Sequence, residues 1–264
     1  MQSPLNFAPE TGLGHSFHPT ALREYDIRGV VGETLGEDDA RALGRAFGTV
    51  LRRRGGRSVA VAYDGRLSSQ ALEQALVEGL SAAGVDVMRI GLGPTPMLYF
   101  AAYTQGVDGG IMVTGSHNPP DYNGFKLVID KKPFFGDDIT ALGRMAAAGD
   151  FESGAGTVTQ RSLQAEYIAR LVQDYAGGRL LRVAWDAGNG AAGDALTALV
   201  KHLPGEHFLL NETIDGTFPA HHPDPTVPEN LVELQETVRR ENCDFGIAFD
   251  GDGDRLGGFD GEGR

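Results

Sequence analysis

The sequence predicts an α/β protein built as two layered units with mixed, mostly parallel sheets. Three observations carry that expectation. Apolar runs of strand length alternate with segments of helical period, the intervening helices run to ten residues or more, and the pattern restarts after a polar, glycine-bearing stretch at 149–159. The first helix is the plainest. Ala40, Leu43, Phe47, Val50 and Leu51 share one face. Glu37, Asp38 and Asp39 open it, and Arg52, Arg53 and Arg54 close it before Gly55 and Gly56, so both ends complement the helix dipole. A strand follows at 58–63, then a helix over 69–83 with Leu72, Leu76 and Leu80 inward. Next come a strand at 85–90 and a short helix over 94–103 with proline at its entry. Residues 110–113 and 125–129 read as strands flanking a loop at 114–124, and 137–148 as a weaker helix.

The second set comprises a helix over 162–175, a strand at 181–185, a helix over 191–202 and a strand at 207–210. A long proline-rich loop at 211–228, a helix over 229–242 and a strand at 245–249 complete it. The expected organisation is a mobile N-terminus at 1–16, a first α/β domain at 17–155, a second at 156–257, and the opening of a third at 258–264. Gly258 to Arg264 reads as a hairpin just begun, directly after the most chemically loaded loop, so the chain reads as a piece of a longer protein.

Composition narrows the function classes. With 41% hydrophobic and 22% charged residues over 264 positions, the mixture is that of a globular protein with sizeable cores. A net charge of -13 argues against nucleic acid and anionic membrane surfaces as partners. Any anionic substrate must therefore be met by a few local cations. Cys243 is the single cysteine, which excludes an intramolecular disulfide and fits a reducing compartment. Residues 1–19 lack the basic and apolar segments of a secretory signal, and no run reaches transmembrane length. A cytoplasmic protein is expected.

The densest chemistry lies at Asp250-Gly251-Asp252-Gly253-Asp254-Arg255, behind the buried-strand run Phe245 to Phe249. Alternate carboxylates on extended backbone point to one side. At separations of about 5 Å each ionised pair repels by roughly 3 kcal/mol at an effective dielectric of 20. That arrangement wants a cation, and all-oxygen ligands favour Mg²⁺, Mn²⁺ or Ca²⁺ over zinc. An EF-hand reading fails, because glycine at loop position 6 and glutamate at position 12 are replaced by Arg255 and Gly261. A strand also precedes the loop where a helix is required.

A second loaded segment runs from Thr114 to Lys126, in a strand-to-strand loop of the kind where α/β folds place their sites. Ser116 beside His117 is a poor hydrolase pair, because neighbouring side chains on extended backbone point apart and no G-x-S-x-G elbow is present. Asp186 to Gly190 opens a helix and could hold an anion, but it lacks nucleotide-binding spacing and reads better as a tight turn. His221 to Pro225 has no further zinc ligand at a known spacing and reads as a proline-stiffened loop.

Taken together, the Thr114–Lys126 loop, the Asp250–Arg255 loop and the early segment Glu24-Tyr25-Asp26-Ile27-Arg28-Gly29 resemble the α-D-phosphohexomutase family. The serine loop is most similar to the bacterial phosphomannomutase/phosphoglucomutase branch. The resemblance implies that Ser116 is a phosphoserine exchanging its phosphoryl group with hexose phosphates through a hexose 1,6-bisphosphate, glucose 1,6-bisphosphate serving as activator. It implies that Asp250, Asp252 and Asp254, with a phosphoserine oxygen, bind Mg²⁺. Lys126 matches the family's general acid/base, which needs a pKa lowered by burial and neighbouring cations. His117 and Arg255 resemble catalytic residues that line the phosphoserine and assist proton movement or charge stabilisation. Tyr25 and Arg28 match the family's early active-site segment, Arg28 as a catalytic and both as substrate-binding residues, with Lys126 and Arg255 also contacting substrate. Family members have four domains, so a chain covering two is expected to turn over hexose phosphate poorly. The alternatives are a phosphoglucosamine mutase and a non-catalytic sugar-phosphate or metal-binding module.

Overall fold

The structure, a computed structural model, describes residues 14–264. Most of the 1–16 segment expected to be mobile lies outside the described residues. The remainder is anchored: the His15 amide donates to Ala146 O at 2.8 Å, and its ring lies 2.7 Å from Asp39 Oδ1.

The first unit contains β1 (Ile27–Val30), α1 (Glu37–Arg53), β2 (Ser58–Tyr63), α2 (Ser69–Ala82), β3 (Asp86–Leu92), α3 (Thr95–Thr104), β4 (Gly109–Val113), β5 (Tyr122–Ile129), β6 (Lys132–Pro133), α4 (Asp137–Ala148) and β7 (Val158–Gln160). Its sheet runs β1-β5-β4-β2-β3-β7, with β6 paired to β5. Strands β4, β2, β3 and β7 are parallel, whereas β5 is antiparallel to both β4 and β1. The period-two alternation of β2 sorts the core. Val59 and Val61 join a cluster with Leu43 and Phe47 of α1, Leu72 and Leu76 of α2 and Ile139 of α4. Ala60 and Ala62 face Met97, Leu98 and Ala101 of α3 on the other side. Small residues there let α3 lie close to the sheet, giving an α/β/α sandwich.

The second unit contains α5 (Gln164–Gln173), β8 (Leu181–Asp186), α6 (Gly193–Leu199), β9 (Gly205–Leu210), α7 (Val232–Arg240), β10 (Phe245–Phe249) and β11 (Leu256–Asp260). Its sheet runs β11-β10-β8-β9, parallel except for the β10–β11 hairpin. Helix α7 covers one face through Leu234 and Val238 against Ala184 and Ala248.

The expected α/β class with mixed, mostly parallel sheets is borne out. Several details differ. The 191–202 and 229–242 segments are each part α-helix and part 3-10 turn, the latter entered at Pro228. Strand β7 edges the first sheet from residues beyond 155, and β11 reaches past 257 within the second sheet. Strand β5 starts at Tyr122, so Asn123 and Gly124 lie in the ladder with β1 rather than in a loop.

Candidate active site

The serine loop follows the carboxyl end of β4, and the acidic loop follows the carboxyl end of β10, which is where open α/β sheets collect ligands. Ser116 is 1% exposed and has left-handed backbone, with φ of 50°. Its amide donates to Thr114 Oγ1 at 2.7 Å, and its hydroxyl donates to Asp250 Oδ2 at 2.9 Å. The loop is supported from below by Asp64, at the turn after β2. This buried carboxylate accepts from Thr114 Oγ1 at 2.8 Å, from the Gly115 amide at 3.1 Å and from Ser69 Oγ.

In the acidic loop, Asp250 Oδ1 accepts the amides of Asp254 and Arg255, each at 3.1 Å. Asp252 is clasped by the start of α3: the Thr95 amide donates to its carbonyl at 2.8 Å and the Thr95 hydroxyl to its carboxylate. One oxygen from each of Asp250, Asp252 and Asp254 lies within 4.8 Å of the others. Burial, with the like charges of Asp252 and Asp254, pushes the Asp250 carboxyl up to about 7. Burial also pushes Asp252 upward, but the Lys126 ammonium, together with hydrogen bonds from Lys126 and Thr95, outweighs it and holds that carboxyl below its ordinary range.

Lys126, on β5, is ion-paired with Asp252 at 2.7 Å and with Asp254. The expected lowering of its pKa does not hold. Burial does pull it down, but the two carboxylates prevail and the net shift is upward, because its neighbours are anions rather than cations. Asp252 Oδ1 is buried without a hydrogen-bond partner. An orphaned carboxylate oxygen inside an all-oxygen donor set, with an ammonium already drawn to it, fits a hard divalent cation.

His117 and Arg255 meet across the same gap. Arg255 Nη1 lies 2.8 Å from His117 Nδ1 and 3.3 Å from Nε2. His117 Nδ1 is also 3.4 Å from Ser116 Oγ. His117 is held neutral by burial and by the Arg255 charge, which lower its pKa. Arg28 is buried under the loop, donating to the Gly115 carbonyl and to Asp26. Tyr25 stands outside this network, 73% exposed and stacked on Phe135.

Three contributors were not singled out by the sequence: Asp64, Thr95 and His222, which lies 2.7 Å from the His117 carbonyl. A charged Asp-Gly-Arg turn between strand and helix was the one available signal, at 64–66. Elsewhere, the amides of Gly188, Asn189 and Gly190 are taken by Asp186, Asn211 and Ala187, consistent with a tight turn.

Family models for phosphoglucomutase/phosphomannomutase α/β/α domain I and domain II match residues 19–152 and 165–263. The chain belongs to the phosphoglucomutase/phosphomannomutase family. It is 45% identical over 236 residues to a phosphomannomutase/phosphoglucomutase of Pseudomonas aeruginosa, covering 89% of this chain and 51% of that protein. It is 40% identical over 238 residues to a phosphoglucomutase of Neisseria meningitidis, covering 89% and 52%. The crystal structure of a phosphoglucomutase/phosphomannomutase family protein from Burkholderia thailandensis superposes with a TM-score of 0.90 at 47% identity, over 94% of this chain and 56% of that one. The chain thus spans about half the length of the relatives it matches. Domain I of the family supplies Arg28, Thr95, Ser116, His117 and Lys126, and domain II supplies His222, the three aspartates and Arg255. No helix among the described residues is long and apolar enough to cross a membrane.

Proposed function

We propose that the protein is a phosphohexomutase interconverting hexose 1-phosphates and hexose 6-phosphates of the mannose or glucose type, with Ser116 as the phosphoryl carrier. The observation supporting this most directly is the 2.9 Å hydrogen bond from Ser116 Oγ to Asp250 Oδ2, which joins the serine of the first domain to the acidic loop of the second. Asp250, Asp252 and Asp254, with an oxygen on Ser116, would hold Mg²⁺, which when bound neutralises charge on a phosphoryl group.

In the forward step the Ser116 Oγ–phosphorus bond breaks as a sugar hydroxyl oxygen bonds to phosphorus. The hydroxyl proton leaves to a base and the serine oxygen takes one up, so atoms and charge balance. The resulting hexose 1,6-bisphosphate returns its other phosphoryl group to Ser116. Arg255 would grip phosphoryl oxygens, and Lys126 would supply a second cation and a proton. Arg28, whose two Nη groups donate to Gly115 and Asp26, supports the loop from beneath. Tyr25 is a rim residue for the substrate.

The test is intact mass after incubation with glucose 1,6-bisphosphate and Mg²⁺. The wild type is expected to gain one phosphoryl group and Ser116→Ala none. A wild type that gains nothing, or an S116A variant that gains as much, contradicts the reading.

A further inference from the structure

Arg66 sits at the turn after β2, and nothing above assigns it a part in the chemistry. Its side chain is wholly buried. Nη1 donates to the carbonyls of Pro119 and of Tyr122, the latter at 3.0 Å. Nη2 donates to the carbonyls of Ser116 at 2.8 Å and Asn118 at 2.6 Å. Four acceptors of one loop therefore converge on one planar cation. Nε lies 3.3 Å from Asp64 Oδ2, so the carboxylate that supports the loop also balances the charge that grips it. The approach is close: a Cβ on Gly115 would fall 2.2 Å from Nε, which only glycine avoids. On its other side the guanidinium carbon lies 5.2 Å from the ring centroid of Phe218, in the long loop of the second unit.

Ser116 occupies left-handed backbone that a serine does not favour. Something must hold it there, and its own carbonyl is one of the four that Arg66 grips. We infer that Arg66 is a positioning residue for phosphoryl transfer. It fixes the left-handed turn that aims Ser116 Oγ at Asp250, and through Phe218 it registers the serine loop against the unit that carries the acidic loop. Lysine cannot substitute, because a compact ammonium with three donors does not match four carbonyls arranged around a flat fork.

The inference rests on the phosphoserine reading of Ser116. It is tested by following phosphoryl uptake from glucose 1,6-bisphosphate with Mg²⁺ over time, by intact mass, in the wild-type chain, Arg66→Lys and Phe218→Leu. Loss of folded protein lowers the plateau, whereas a misaimed hydroxyl slows the approach to an unchanged plateau. R66K is expected to reach the wild-type plateau about 100-fold more slowly. The bisphosphate concentration giving half the maximal rate should stay within about twofold of wild type, as for an interaction that acts on the reacting geometry alone. F218L keeps every loop residue and is expected to slow uptake about three- to tenfold. If R66K does not fold, the F218L rate decides. A wild-type rate constant in folded R66K or in F218L overturns the inference. Failure of the wild type to take up phosphate also removes it, through Ser116 rather than through Arg66.

Discussion

Lys126 and any divalent ion bound by the triad compete for the carboxylates of Asp252 and Asp254. Removing the ammonium while keeping the stem should free those carboxylates. Lys126→Met is therefore expected to bind Mn²⁺ about tenfold more tightly, the equivalent of about 1.4 kcal/mol, while transferring phosphate more slowly. Isothermal titration with Mn²⁺ checks the first part, and weaker binding in K126M would contradict it. At this scale the acidic triad was legible because its alternation is local, and no folding benefit offsets three adjacent charges. The Lys126 environment was not. The sign of its shift depends on which charges the fold brings to it, and its partners lie 126 and 128 residues away in the chain. Asp64 escaped for the same reason, since Thr114 and Gly115 become its partners only when β2 and β4 pair.

The loop that carries Phe218 and His222 is pinned to β8 by a second interaction. His221 Nε2 lies 2.8 Å from the buried Asp186 Oδ2, and that hydrogen bond raises the histidine pKa against the opposing effect of burial. A raised folded-state pKa contributes stability that is fully present below the ordinary histidine value of about 6.5 and is lost as pH rises through the folded value. His221→Gln removes the titration. The wild type is expected to exceed H221Q by about 1–2 kcal/mol at pH 6, and the margin should shrink by pH 9. Urea denaturation at the two pH values measures this, and a margin that widens with pH would contradict it. Elements of ten residues or more were readable from period alone, as α1 and α2 show. Strands of two to four residues, such as β1, β6 and β7, carry too few alternations to register, and only pairing with β5 or β3 defines them.

Across the whole molecule, the site exists only where the two units meet. Ser116 and Asp250 are 134 residues apart and share a hydrogen bond. Thr95 and Asp252 form a second clasp, and Arg66 with Phe218 a third. Nothing in the periodicity of either half foretold that meeting. The motif resemblance implied it, and the clasps show how the interface is held. A divalent ion facing the serine oxygen inside the aspartate cage is the centre of the proposed chemistry. A crystal of the phosphorylated chain grown with Mn²⁺, with anomalous scattering recorded, tests this most directly. A single strong peak about 2.1 Å from oxygens of Asp250, Asp252, Asp254 and the Ser116 phosphoryl group is the predicted result. A peak elsewhere, or none at saturating Mn²⁺, would contradict it.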